Sequence, residues 1–246
     1  MYGYIEWTKE MRRPALTERE ILHLRFRCAA IPQRKGMPQM IQRRLAARAA
    51  KLLHREGIVR AVFPEAFPWL ELFAQHHIYP ADTMVLCRAL AAELVQARLD
   101  ASGQMGKGVT VAVCTRRLTE EVRRTVTELC IRNRYVMLAA PERDDGFCRK
   151  LRREYGVPLL QTEHAEQLAK AAVMVRFSPE IKCAETQDVI DLFHGGTPLS
   201  ETLCLSPELD TQIPNECDRM QLLAALHSAG AIRPGQIRIL YGQSQK

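Results

Sequence analysis

The chain is poor in the signatures that name a chemistry at sight. Its eight cysteines, Cys28, Cys87, Cys114, Cys130, Cys148, Cys183, Cys204 and Cys217, contain no CxxC pair, which argues against a zinc site and a redox dithiol. Most stand inside apolar runs and are expected to be small core residues. Neither GxxxxGK[ST] nor GxSxG occurs, so no P-loop and no nucleophile elbow is encoded. No stretch approaches the roughly 18 apolar residues of a membrane helix. The opening MYGYIEWTKEMRRP places charges where a secretory leader needs its apolar centre. A cytoplasmic protein without a membrane partner is the expectation. Internal repeats and low-complexity tracts are missing too.

The composition itself is that of an ordinary globular protein: 246 residues, 47% hydrophobic and 26% charged, enough for one large α/β domain or two small ones. The 35 basic residues exceed the 28 acidic ones, for a net charge of +7. That balance permits attraction to nucleic acid, acidic proteins or anionic metabolites and selects none of them.

The first hundred residues form a helix-rich region, 1–100. Tyr2 to Trp7 alternates and is rich in aromatics, as a strand is. Thr17 and Glu20 have the spacing of a capping box and predict a helix carrying Ile21, Leu22, Leu24 and Phe26, closed by Pro32. The string LTERE, Leu16 to Glu20, resembles the opening of the helix-turn-helix domain of quorum-sensing response regulators over five residues. The residues after it lack the spaced apolar pattern of scaffold and recognition helices, so the string is read as a plain helix start. Met40 to Arg55 predicts a helix with Ile41, Leu45, Leu52 and Leu53 on one stripe and Arg43, Arg44, Arg48, Lys51 and Arg55 toward water. Gly57 is placed to end it, and IVRAVF comes next as a second strand. Trp69 to His77 reads as a short helix and Thr83 to Leu99 as a long one capped by Asp82. The three glycines of 101–108 mark a linker.

Residues 108–178 carry the clearest pattern. VTVAVC, YVMLAA, VPLLQ and AVMVRF alternate with three helix-like segments: Glu120 to Arg132 capped by Thr119, Phe147 to Tyr155 ended by Gly156, and His164 to Ala171. This βαβαβαβ series resembles one half of a Rossmann-type domain over about seventy residues. The resemblance implies a mostly parallel sheet with helices on both faces. A dinucleotide-binding unit of that kind carries GxGxxG directly after its first strand. Here Cys114, Thr115, Arg116, Arg117, Leu118 and Thr119 stand there without a glycine. Nor does Cys114 open a CxxxxxR loop, because the sixth residue after it is Glu120. No cofactor is therefore predicted, and standard dinucleotide binding is disfavoured.

Ligands in open parallel sheets bind beyond the carboxyl ends of the strands, and helix N-termini favour anions. Thr115, Arg116, Arg117 and Thr119 are accordingly the candidate anion-binding residues, joined by Glu142, which stands two residues beyond the place of a ribose-binding acid. Arg149, Lys150, Arg152 and Arg153 flank a stripe of Phe147, Leu151 and Tyr155, which reads as core with a solvated basic face. In 179–246, Asp188 to Phe193 is a strand or short helix and His194-Gly195-Gly196 a turn. Leu203 to Leu205 is a strand, Ser206-Pro207 starts a helix, and a stronger helix with Asp218 in its first turn comes after Asn215. Pro234-Gly235 turns into a last strand, Gln236 to Leu240, and Gly242 to Lys246 is a frayed tail.

The sequence thus predicts a Rossmann-like α/β protein, non-catalytic, with a ligand-binding or regulatory role directed at an anionic small molecule. An enzyme whose site is assembled from loops is the first alternative, with Cys114, Glu142, His164 and His194 as candidates. A nucleic-acid binder using the basic helices is the second and is not favoured. Nothing in the sequence fixes an oligomeric state.

Overall fold

The structure is a computed structural model that describes residues 1–104, 108–141, 144–162, 164–179 and 188–241, with the backbone alone at 165 and 241. Part of the predicted linker, Cys183 and the tail 242–246 lie outside the described residues. In chain order the elements are β1 (Tyr2–Thr8), β2 (Ala15–Ile21), β3 (Leu24–Pro32), α1 (Gln39–Arg55), β4 (Arg60–Val62), α2 (Leu70–Ala74), β5 (Tyr79–Pro80), α3 (Thr83–Ala89) and α4 (Ala91–Ala101). Next come β6 (Thr110–Cys114), α5 (Glu120–Arg132), β7 (Tyr135–Ala139), α6 (Asp145–Tyr155), β8 (Leu159–Gln161), α7 (Ala165–Leu168), β9 (Val173–Arg176) and β10 (Asp188–Asp191). The chain closes with β11 (Glu201–Leu205), α8 (Pro207–Asp210), α9 (Arg219–Ser228) and β12 (Ile237–Tyr241). No helix among the described residues is long and apolar enough to cross a membrane.

The chain forms two compact units, one of Met1–Leu86 with Leu203–Arg238 and one of Cys87–Thr202 with Ile239–Lys246. The first holds a five-stranded sheet in the order β2-β3-β1-β4-β5, parallel except for the β2 edge. Against it α1 buries Leu45, Ala46, Ala49, Ala50 and Leu53 beside Ile5, Ile31, Ile58 and a cluster of Phe63, Phe67 and Phe73. Gly3 suits β1 because a Cβ there would stand tight, 3.0 Å from both Ala61 Cβ and Ile58 Cγ2, and those side chains would have to shift.

The helix predicted from Thr17 to Pro32 is instead the β2–β3 hairpin. Ile21 pairs with Leu24 across a two-residue turn in which Leu22 and His23 have φ of 48° and 64°, the left-handed pair that such a tight hairpin demands. Leu24, Phe26, Cys28 and Ala30 recur every second residue against Arg25 and Arg27, a strand period. Glu18 and Arg27 face each other across the ladder and pair at 2.9 Å, so the charges of LTERE serve an edge strand.

The second unit holds a wholly parallel sheet in the order β10-β9-β6-β7-β8. Counted from β6, this is the 3-2-1-4-5 order of a doubly wound nucleotide-binding fold. The class of the protein is set by that order: it is an α/β protein with a Rossmann-type sheet. Of the segment Asp188 to Phe193, Asp188–Asp191 is strand, β10. Four other boundaries differ from expectation. The helix 83–99 is broken at Leu90 (φ −100°, ψ 12°), which no proline or glycine marks. Asp144 caps α6 by accepting the Phe147 amide at 2.9 Å, so that helix begins two residues early. The segment His164 to Ala171 holds only one helical turn, α7. Asp218 caps α9 by accepting the Gln221 amide at 3.0 Å. Within α6, Phe147 and Leu151 are buried as expected, whereas Tyr155 is 45% exposed and not core.

None of the seven described cysteines is in a disulfide, and five of them are buried. Burial pushes the Cys28 and Cys130 thiols up to about 12, which keeps them protonated and inert.

Candidate functional site

In a 3-2-1-4-5 sheet the chain winds outward from its first strand in one direction and then returns to wind in the other. The gap between strands one and four, here β6 and β9, cannot be bridged by a single connection, and it opens as a crevice at their carboxyl ends. A cleft of about 360 Å³ lies there. It is lined by Thr115, Arg116, Arg117 and Thr119 after β6, by Phe177 and Ser178 after β9, by Arg88 of α3, and by Glu121 and Val122 of α5.

The two loops are stitched together by backbone. The Phe177 amide donates to the Cys114 carbonyl at 2.8 Å, and the Arg116 amide donates to Ser178 Oγ at 2.9 Å. Thr115 is 3% exposed; its amide donates to the Ala139 carbonyl at 2.9 Å. Its hydroxyl donates to the Arg117 carbonyl at 2.8 Å and accepts the Arg117 amide at 3.3 Å. A threonine thereby closes the turn that glycines close elsewhere. Thr119 accepts the Val122 amide at 3.4 Å as the cap of α5, which leaves its hydroxyl hydrogen able to donate outward. Arg116 and Arg117 are exposed at the rim. Arg88 donates from Nε to the Leu192 carbonyl at 2.8 Å and reaches Glu121 at 3.7 Å. The described lining residues set three guanidinium groups against one carboxylate, and the N-terminus of α5 adds positive field.

Beside the cleft, the strand ends of β9 and β10 are locked by an ion pair. Arg176 Nε donates to Asp191 Oδ1 at 2.6 Å, and the Thr197 amide donates to Asp191 Oδ2 at 2.9 Å. Burial pushes the Asp191 carboxyl up, yet the hydrogen bonds from Arg176 and Thr197 outweigh it and hold the group below the usual carboxylate range. Gly196 fits closely over this pair, since a Cβ there would fall 2.5 Å from Asp191 Cβ. Farther along the unit, Arg98 pairs with the fully buried Glu201 carboxylate at 2.5 Å and with Asp188.

Four of the five sequence-predicted binding residues, Thr115, Arg116, Arg117 and Thr119, therefore share one cleft. The fifth, Glu142, lies outside the described residues. The loop-assembled set is not brought together. Cys114 is fully buried at the end of β6, while His164 and His194 come after β8 and β10, the two outer strands of the sheet. Four strand spacings, roughly 19 Å, separate those edges. Arg88, Glu121 and Ser178 were missed by sequence reasoning. Ser178 alone had a readable signal, its place just after the fourth strand. Among the described residues no group of histidine, cysteine and carboxylate side chains could hold a metal ion.

No protein-family model matches the chain. No curated protein matches it. Among solved structures it is similar to D-lactate dehydrogenase with NAD+ from Lactobacillus jensenii, at 10% identity over 63% of this chain and 56% of that one, with a TM-score of 0.28. It is also similar to the apo form of Rhodotorula graminis D-mandelate dehydrogenase, at 12% identity over 69% and 55%, with a TM-score of 0.31. A third is shikimate 5-dehydrogenase from Listeria monocytogenes in complex with shikimate and NAD, at 6% identity over 61% and 58%, with a TM-score of 0.27. The chain thus spans little more than half the length of each. These neighbours are dehydrogenases, two of them holding NAD, and they run against two expectations, the reading as a non-catalytic binding or regulatory protein and the reading that no dinucleotide cofactor is taken. A missing glycine is not a missing ligand. Glycine decides how closely a backbone approaches a phosphate, not whether side chains can hold one.

Proposed function

We propose that the protein is an enzyme whose Cys87–Thr202 unit holds the phosphate-bearing part of a nicotinamide-type dinucleotide in the switch-point cleft. The observation that carries this reading is the cleft itself: a positive crevice at the carboxyl ends of β6 and β9, lined by Arg88, Arg116 and Arg117 with the hydroxyls of Thr119 and Ser178. These residues fit a diphosphate, because guanidinium groups donate in a fork that matches phosphate oxygens and each hydroxyl adds a donor. The grip is through side chains. Thr115 keeps the loop in shape, and Glu142, carried from the sequence, would accept from ribose hydroxyls. Such a cofactor, when bound, accepts or supplies a hydride; the chain's own residues anchor and orient it.

The test is ligand-induced stabilisation and NADH fluorescence. Dinucleotide at about a hundred times its dissociation constant is expected to stabilise the protein by about 2.7 kcal/mol, a rise of several degrees in melting temperature. Charge-assisted hydrogen bonds contribute roughly 1.5–3 kcal/mol each, so Arg116→Ala/Arg117→Ala is expected to weaken binding at least tenfold. No response to NAD+, NADH or NADP+, or an unchanged response in the double variant, overturns the reading.

A further inference from the structure

Helix α1 differs from the other charged helices of the molecule. On α5, Arg123 pairs with Asp144 at 2.6 Å, Arg124 with Glu128 at 4.0 Å and Arg132 with Glu93 at 2.9 Å. Even Arg27, on β3 next to the edge strand, is held by both Glu18 and Glu56. Over the 17 residues of α1 there are five cations, Arg43, Arg44, Arg48, Lys51 and Arg55, and no carboxylate. All five are exposed, and none makes an ion pair among the described residues. Arg44, Arg48, Lys51 and Arg55 recur at steps of four, three and four, which lines them along one face over about 16 Å at 1.5 Å per residue.

The surface continues past the start of the helix. Strands β1 and β3 are parallel neighbours whose last residues, Thr8 and Pro32, pair in register, and the Gln33 amide donates to the Thr8 carbonyl at 2.8 Å. The loops that leave them begin side by side and carry Lys9, Arg12, Arg13, Arg34 and Lys35, all exposed. The second of these loops leads into α1.

We infer that this face of α1 binds the phosphate backbone of a nucleic acid, without base specificity. A row of unpaired cations is complementary to a row of phosphates, and each contact gains by releasing counterions. A lipid surface is a poorer match. A helix that lies in a membrane interface sinks a continuous apolar face into it, whereas Leu45, Ala46, Ala49, Ala50 and Leu53 of α1 are spent on the unit's own core and only Met40 and Ile41, both in its first turn, are exposed large apolar residues. A folded protein partner is poorer too, because the row lacks the aromatic and apolar centre of such interfaces. The helix lies in the Met1–Leu86 segment, so this inference stands or falls independently of the cofactor cleft.

The experiment measures anisotropy of a labelled 20-base-pair DNA duplex and a 20-nucleotide RNA strand against salt. Four phosphate contacts give a slope of log K on log salt near −4 for duplex, about a hundredfold loss between 50 and 200 mM salt. Arg44→Gln/Arg48→Gln/Lys51→Gln keeps helix propensity and is expected to bring the slope to about −1, with unchanged circular dichroism. Arg116→Ala/Arg117→Ala is expected to bind as the parent does. Three results overturn the inference: no binding of either polymer at 50 mM salt, a slope the triple variant leaves unchanged, or binding of phosphatidylserine vesicles in place of nucleic acid.

Discussion

Single residues decide how the cleft is built. Thr115 spends both its donor and its acceptor capacity on Arg117, so the turn after β6 is fixed by a side chain and has no need of positive φ. Asp191 does a comparable job one strand pair away, where it is 3% exposed and ties Arg176 to the turn at Thr197. Its folded pKa lies below its unfolded value, near 3.9. The stability it contributes is therefore present above that value and lost as pH falls through the folded one. Breaking such a pair leaves Arg176 without its main partner, so Asp191→Asn is expected to destabilise by about 3 kcal/mol at pH 7. Urea denaturation across pH should show the difference between the two proteins narrowing below about pH 4; a gap that stays constant to lower pH contradicts the assigned role. Arg176 and Asp191 could not be matched from sequence, because the strand register that faces them belongs to the fold.

At the scale of elements, legibility went with burial. The strands β6, β7 and β9 are buried on both faces and stand in the sequence as short apolar runs. Helices α1 and α5 announced themselves by apolar stripes against charge, although on α1 Ile41 is 45% exposed and Ala46, Ala49 and Ala50 join Leu45 and Leu53 in the buried face, and Thr119 and Gly57 fell where caps were expected. The β2–β3 hairpin was illegible because β2 is an edge strand, whose charged residues serve to guard an exposed ladder, and because Leu-His replaces the usual Asn-Gly at its turn. In that turn His23 is a fully exposed residue at φ 64°, a conformation that costs a non-glycine residue roughly 1–2 kcal/mol. His23→Gly is expected to raise the melting temperature by about 1–3 °C, after the added freedom of glycine in the unfolded chain is subtracted. A lower melting temperature would show that the histidine ring contributes to the turn.

On the scale of the whole molecule, the chain enters its second unit at Cys87 and returns to the first at Leu203. Each unit has a sheet of its own, mostly parallel in the first and wholly parallel in the second, and the strand at the start of the chain joins the first while the pattern from Val109 onward builds the second. The rhythm of 109–177 revealed the Rossmann-type sheet, but the strand order, and with it the crevice, comes only from three dimensions. Sequence placed four binding candidates within five residues of one another, and the fold added Arg88 and Ser178 from segments well apart in the chain. The decisive measurement is a cocrystal structure with NADH. The pyrophosphate is expected between the loops after β6 and β9, against Arg116, Arg117 and the start of α5. A dinucleotide bound elsewhere on the molecule, or a cleft that stays empty at saturating NADH, would contradict that placement.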